Sequence, residues 1–431
     1  MELNELYILV RNSKGITTDS RSVSEGQVFF ALRGPSHDGN LHAADAVKAG
    51  AAAAVVDDPS LSGESFIFVD NVLNTLTLLA AHHRRTLTIP VIAITGSNGK
   101  TTTKELITAV LSRSKRVHST TGNLNNHIGV PLTLLSAPDD TGFMVVEMGA
   151  NHKGEIAALC RTAMPTHGII TNIGRAHIEG FGSFDEVKAA KSELYQWLAG
   201  NGGIAIYNDA NDILKELVLK TGPGKAPYSH PAGIKLTADV TDGDSMFLNV
   251  RTSFGGNEYS FATNLFGSYN IDNVRAAIAT GIFFGVPFSD IINAISSYRP
   301  VNNRSQVVDT GRNLVICDAY NANPSSMKEA VSSFAALKAA KKMFILGDML
   351  ELGSESRAGH AAVINQLKSL GDAEIALVGP RFMEAAGEIR AHLFRSSDEM
   401  SEWLSSARPE GYTILVKGSR GMTLEKIYPL L

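Results

Sequence analysis

An α/β protein of three domains is expected here, and three observations predict it. A Gly-rich loop at 95–101 follows a short apolar run and opens a helical pattern. That strand–loop–helix order is what a phosphate cradle in a nucleotide-binding domain needs. From about residue 300, short apolar runs alternate with helical stretches in one rhythm, which predicts a second doubly wound domain. Finally, 431 residues suffice for two to four domains of about 100–200 residues, and a separate block precedes the Gly-rich loop. The expected division is a small mixed α/β domain at 1–85, a central P-loop domain on a parallel sheet at 86–299, and a Rossmann-like domain at 300–431.

Composition narrows the function classes. Hydrophobic residues are 44% and charged residues 19%, which excludes a disordered, collagen-like or coiled-coil chain. The 39 basic and 43 acidic residues leave a net charge of −4. Nucleic acid is therefore not expected as the main partner, since such proteins carry a basic excess. Cys160 and Cys317 are the only cysteines. Two are too few for a disulfide framework, so both are expected as buried, reduced thiols of a cytoplasmic protein. No signal peptide and no apolar stretch of membrane-spanning length is read. A monomer acting on small molecules is expected.

In the first block the apolar runs 28–32, 53–56 and 66–69 alternate with turn signals, and the Ala-rich stretch 42–49 reads as a helix. The second block begins its strands at 91–95 and continues them at 143–146 and 168–171, with a helix through Leu106, Ile107, Val110 and Leu111. Residues 235–263 read as a β-rich insertion, and 270–284 as a helix. The third block gives strands at 314–317, 343–346, 375–378 and 412–416. Helices are expected from Ser325, Ser356, Arg381 and Met422.

The chemistry begins at Thr95-Gly96-Ser97-Asn98-Gly99-Lys100-Thr101, with Thr102 next in the helix. Glycines let backbone N–H groups close on phosphate oxygens, and the helix N-terminus adds its positive dipole end. Lys100 is expected at the terminal phosphates and the Thr101 hydroxyl on Mg²⁺. Ile94 stands where the longer form of this loop has glycine. Glu147 ends the next strand and is a natural Mg²⁺ ligand beside a phosphate loop. His177 follows another strand at the same sheet edge.

Lys191 is the most unusual residue. On a helical wheel over 184–198, Phe184, Val187, Leu194, Tyr195 and Leu198 surround it, while Asp185, Glu186, Ser192, Glu193 and Gln196 lie opposite. Either the lysine stem snorkels out to water, or the amine is buried, its pKa lowered, and neutral. A neutral amine can take up carbon dioxide as a carbamate, which would make it an anionic metal ligand. In the third block, Asp318, Tyr320, Asn321 and Asn323 follow one strand, Asp348 the next, and Lys417 and Arg420 the last. Each of these loops is either a turn or cap, or part of a ligand site at the C-terminal sheet edge.

With these residues in place, the chain resembles the Mur ligases over essentially its whole length. The short phosphate loop with Ile94 is that family's form. The resemblance implies metal-binding roles for Thr101, Glu147 and His177 and a carbamylated Lys191, which together with Lys100 would carry the catalysis. It implies adenine contacts from Asn270 and Asn273, where Tyr269 stands in place of a common His. Arg304 and Asp318 match residues at the γ-phosphate region and the ribose. The string from Gly122 to Pro131, with Asn123, Asn125, Asn126 and His127, resembles the branch that adds D-alanyl-D-alanine to a UDP-muramoyl-tripeptide. Tyr320 to Pro324 and Leu346 to Gly353 point the same way. Thr18-Asp19-Ser20-Arg21 resembles that branch's UDP-sugar-binding segment, with Ser20 and Arg21 as contacts.

What the resemblance implies is an ADP-forming ligase that uses ATP and Mg²⁺ and passes through an acyl phosphate. The alternatives are a related ligase adding a single amino acid to a UDP-muramoyl peptide or a folate, and a P-loop small-molecule kinase. A GTPase would need a guanine-reading N-K-x-D string, which the sequence lacks.

Overall fold

The computed structural model describes residues 2–174, 178–241, 245–371 and 373–431. His177 therefore lies outside the described residues. Three separate parallel-strand layers organise the chain, as α/β sequence rhythm dictates. Ile16–Thr17, Val28–Phe30, Ala53–Val56 and Phe66–Phe68 pair in parallel, in that order. Asn71 then caps the helix Val72–Thr86 by accepting the Asn74 N–H.

The central sheet runs Gly224–Pro227, Ile204–Tyr207, His167–Ile170, Val91–Thr95, Phe143–Glu147, Val117–Ser119, all parallel. Every residue of Val91–Thr95 and Phe143–Glu147 is buried, because helices cover both sheet faces. The connections leaving these two strands run to opposite sides of the sheet. They open a crevice at their C-terminal ends, the place where such sheets bind ligands. The expected β-rich insertion is an antiparallel sheet of Leu236–Val240, Phe247–Phe254 and Asn257–Phe266. Helices Ile271–Phe283 and Phe288–Ser297 follow it.

The third sheet runs Gln306–Asp309, Leu314–Asp318, Thr413–Lys417, Lys342–Gly347, Glu374–Val378, His392–Phe394, with only the first strand antiparallel. The helix expected from Met422 does not form. Thr423 takes a left-handed φ of 49° and Pro429 lacks an N–H, so the tail is 3-10 turns at Arg420–Met422 and Leu424–Leu430.

One apolar cluster joins the first sheet to one face of the central sheet, from Val28 and Phe30 through Leu76 and Leu79 to Val146 and Leu194. Cys160 and Cys317 are free and buried, and burial pushes the Cys160 thiol up to about 12. No described helix is long and apolar enough to cross a membrane.

His83 sits in the joint between the first two sheets. It is 3% exposed, and its Nδ1 lies 2.9 Å from the Tyr7 hydroxyl. Burial, with Arg11 adding, lowers its pKa to about 4 from an ordinary 6.5. Because the folded value is the lower one, the stabilisation is complete above about pH 6.5 and declines as pH falls towards 4. Denaturation midpoints are expected to show a loss on the order of 1 kcal/mol between pH 7 and pH 5. His83→Phe should shrink that loss; an unchanged pH dependence in the variant would assign it elsewhere.

Candidate active site

The phosphate loop leaves strand Val91–Thr95 and enters helix Lys100–Leu111, with Gly99 at φ 79° as the N-cap. Glycine is required at two positions. A Cβ on Gly96, at φ 141°, would stand 2.0 Å from the Thr171 hydroxyl, and one on Gly99 would stand 2.4 Å from Asn273 Oδ1. The N–H groups of Ser97 and Asn98 donate to the carbonyl and side-chain oxygens of Asn172, both at 3.0 Å. They brace the loop. The donors left for an anion are the first-turn N–H groups of the helix that starts at Lys100, backed by its dipole. Lys100 Nζ rests on the carbonyls of Gly96 and Ser97 at 2.7 and 3.2 Å. Burial, with Arg304 adding, lowers its pKa, and Glu147 opposes the shift.

Glu147 stands across the crevice and is 1% exposed. Its Oε2 accepts from the Thr101 hydroxyl and its Oε1 from the Asn125 amide, each at 2.8 Å. The Glu147 N–H donates to Thr120 Oγ1 at 3.0 Å. A hydroxyl and a carboxylate thus converge beside the phosphate loop, a set of hard oxygen donors that suits Mg²⁺.

Lys191 lies in helix Phe184–Gly200, capped by Ser183. It is 2% exposed, with Nζ 5.4 Å from the centroid of the Phe181 ring. Burial and then Lys100 lower its pKa to about 7, against Glu155 and Glu193. Snorkelling is thereby excluded. Ser192 and Glu193, on the opposite side of the wheel, are buried as well. Glu193 accepts the N–H groups of Gly154 and Ala157 at 2.6 and 2.9 Å, so it anchors the start of helix Glu155–Ala163. Helix Glu155–Ala163 packs against that side.

The third sheet supplies the facing wall. Lys417 Nζ and the Ser305 N–H both reach the Asp318 carboxylate, at 2.6 and 2.9 Å. Arg304 lies with its guanidinium carbon 3.7 Å from the centroid of the Tyr320 ring, and Arg420 approaches the same ring at 5.5 Å. Asn303 and Ser305, on either side of Arg304, hold left-handed φ values of 52° and 54°. Strain of this kind persists only where surrounding contacts enforce it, and here Asp318 and Tyr269 bind Ser305.

Between these walls lies a cavity of about 560 Å³. Of the residues expected at the nucleotide, Ser97, Asn98, Gly99, Lys100, Thr102, Asn270, Asn273, Arg304 and Asp318 line it; Thr95, Gly96 and Thr101 do not. Glu147, Asn125, Asn126, Tyr320, Asn321, Asn323 and Lys417 line it too. Asn123, Ser20 and Arg21 are not part of its wall. Ser20 opens a short 3-10 turn on the first domain, and the Arg21 side chain is paired with Asp19 at 2.8 Å. Asn270 and Asn273 bond each other at 2.8 Å and support Thr103 of the phosphate-loop helix.

Asp348 requires correction. It does not line the cavity and is 1% exposed. Its carboxylate accepts the N–H groups of Arg381 and Phe382 at 3.0 and 2.9 Å, which anchors the start of helix Pro380–Ala385. Instead of contacting substrate, Asp348 holds up the loop around it. Asp348→Ala is expected to lower stability by about 2–3 kcal/mol, through orphaned buried N–H groups, and thermal melts would show it. A wild-type melting point with a raised substrate KM would return Asp348 to the substrate. The sequence reading also missed Asn172, Ser305 and Ser325; the one signal for Ser325 was its place after Asn323-Pro324 at a helix start.

Comparison with known proteins gives consistent matches. Family models for the Mur ligase family catalytic domain, the Mur ligase middle domain and the Mur ligase glutamate ligase domain match residues 12–85, 94–281 and 303–420. The UDP-N-acetylmuramoyl-tripeptide–D-alanyl-D-alanine ligase of Bacillus subtilis (strain 168) is 35% identical over 426 residues, covering 96% of this chain and 92% of the relative. Its Escherichia coli (strain K12) counterpart is 33% identical with the same coverage. A crystal structure of MurF from Acinetobacter baumannii superposes with a TM-score of 0.84 at 30% identity, covering 96% of this chain and 92% of that one. MurF from Thermotoga maritima in complex with ADP shares the fold, with a TM-score of 0.82 at 24% identity.

Proposed function

This chain belongs to the Mur ligase family, and we propose that the cavity between its phosphate loop and its third sheet is where the reaction of the named relatives is carried out. It is an ATP-dependent, ADP-forming ligase that joins D-alanyl-D-alanine to UDP-N-acetylmuramoyl-tripeptide. The observation that carries the assignment of the site is the meeting of Lys100, the Thr101–Glu147 pair and Asp318–Lys417 around one cavity.

A carboxylate is a poor electrophile for an amine. Moving the γ-phosphoryl group of ATP onto the tripeptide carboxylate breaks one P–O bond, forms another, and releases ADP. The free amine of the dipeptide then attacks the acyl carbon, and phosphate leaves as the amide bond forms. Lys100 neutralises charge on the transferring phosphoryl, where catalysis of such steps mostly lies. Thr101 and Glu147 would hold Mg²⁺, which supplies further charge neutralisation there; His177 and Lys191 are proposed for a second ion. The Lys191 amine, half neutral near its pKa of about 7, can add to carbon dioxide, forming an N–C bond and releasing one proton. That carbamate would be the anionic oxygen donor. Asp318, set by Lys417 and Ser305, is proposed for the ribose, with Asn270 and Asn273 towards the adenine and Arg304 towards the γ-phosphate. Tyr320, Asn321 and Arg420 are proposed for the dipeptide, Asn125 and Asn126 for the tripeptide, and Ser20 and Arg21 for the UDP end. Closing of the two walls around the substrates would exclude water, which would otherwise hydrolyse the acyl phosphate. A cytoplasmic monomer remains part of this proposal.

ADP release with ATP and Mg²⁺ tests it. The samples contain UDP-muramoyl-tripeptide alone, D-alanyl-D-alanine alone, and both. Release needing both, with the product mass of a pentapeptide, is expected. Activity with a single amino acid instead of the dipeptide would overturn the dipeptide assignment.

A further inference from the structure

A ring of side-chain hydrogen bonds crosses the cavity between the two domains that flank it, beside the Tyr269–Ser305 contact described above. Asn98 of the phosphate loop donates from Nδ2 to the Ser325 hydroxyl at 3.0 Å. Ser325 donates to Asn323 Oδ1 at 2.8 Å, and Asn323 Nδ2 donates back to Asn98 Oδ1 at 2.7 Å. The three side chains form a closed ring in which each donor points the same way round. Such rings polarise one another and strengthen together.

Both ends of the ring are rigidly held. On the phosphate loop, the Asn98 N–H bonds Asn172 Oδ1, and the Asn98 carbonyl accepts from Thr171 Oγ1 at 2.6 Å and from the Asn172 amide at 3.1 Å. Only the side chain is left to reach outward. On the other side, Asn323 is the N-cap of helix Pro324–Ala336. It exchanges bonds with Ser326 in a capping box: its N–H donates to Ser326 Oγ at 3.1 Å and its Oδ1 accepts the Ser326 N–H at 2.9 Å. The Asn323 oxygen is thus shared between its helix and the ring, and its amide is turned to Asn98.

We propose that Asn98, Asn323 and Ser325 form an interdomain clasp that closes the third domain on the phosphate loop and positions the 319–322 loop beside it. Asn323 is then a positioning residue rather than a contact to the dipeptide. That the 319–322 loop serves the incoming amine rests on the function proposed above, whereas the clasp itself does not. Breaking the ring removes two neutral hydrogen bonds between domains, so the closed-to-open ratio should fall about tenfold.

The test places one dye on helix Asp212–Thr221 and one on helix Ser397–Ala407 of the full chain, without ligand, and reads the interdomain distance by energy transfer. Ser325→Ala and Asn98→Ser should each move the population towards longer distance, with thermal melts confirming folded protein. Their double variant should be no more open than the worse single variant, and Ser325→Thr should restore closure. In the ligase assay, Ser325→Ala, which removes one of the two interdomain bonds, should raise the KM for D-alanyl-D-alanine about threefold, with the KM for ATP changed far less. Unchanged distances, or two additive effects, would overturn the clasp. A shifted distance with an unchanged dipeptide KM would overturn its positioning role. Absence of ligation in the unaltered chain would overturn the function and leave the distance test intact.

Discussion

Lys100→Ala is expected to lower ATP-dependent ligation by about a thousandfold or more while leaving the protein folded. The side chain is the cation nearest the phosphate-binding turn, and its ammonium is parked on the carbonyls of Gly96 and Ser97. Removing a charge that offsets developing phosphoryl charge costs roughly 10²–10⁵ in rate in comparable transfers. Steady-state ADP release with both substrates measures the loss. Nucleotide binding by calorimetry and a thermal melt separate lost chemistry from a loosened loop. Near-normal turnover in Lys100→Ala would sink the phosphate-loop assignment.

Lys191→Ala should be equally damaging for a different reason. A full positive charge is poorly tolerated where Lys191 lies, 2% exposed beneath Phe181 and within the field of Lys100. If the amine is held as a carbamate, its removal deletes an anionic oxygen donor, and a short-chain carboxylic acid should restore part of the activity by filling the gap. Carbon-13 NMR with labelled bicarbonate gives a readout independent of turnover: unaltered protein should show a carbamate signal that Lys191→Ala lacks. Full activity of Lys191→Ala without additives, or no carbamate signal in the unaltered chain, would overturn the carbamate.

The parts of the site legible in the sequence share one physical property. Each rests on residues that are close along the chain. Thr95 to Thr101 could be read because strand, glycine turn and helix are contiguous, and Lys191 because an α-helix repeats its faces every 3.6 residues. The burial of Glu193 was not legible, because a wheel shows where polarity changes but not how many neighbours cover the helix. Asp348 was misjudged because a carboxylate at a strand end looks the same whether it faces a ligand or caps a helix 33 residues further on. The tail after Met422 failed as a helix because Thr423 and Pro429 override its apolar spacing.

By itself the sequence determined the α/β class, the phosphate loop, the oddity of Lys191 and the family resemblance, since each rests on periodicity or on contiguous residues. Only the tertiary structure decided which polar side chains are already engaged. Asn98 and Asn323 are 225 residues apart yet 2.7 Å from each other, and Asp318 is set by Lys417, 99 residues later. Hydrogen bonds act over about 3 Å of space, whatever the separation along the chain. Whether a polar group is free for a ligand or spent on the fold is therefore decided only when distant segments meet.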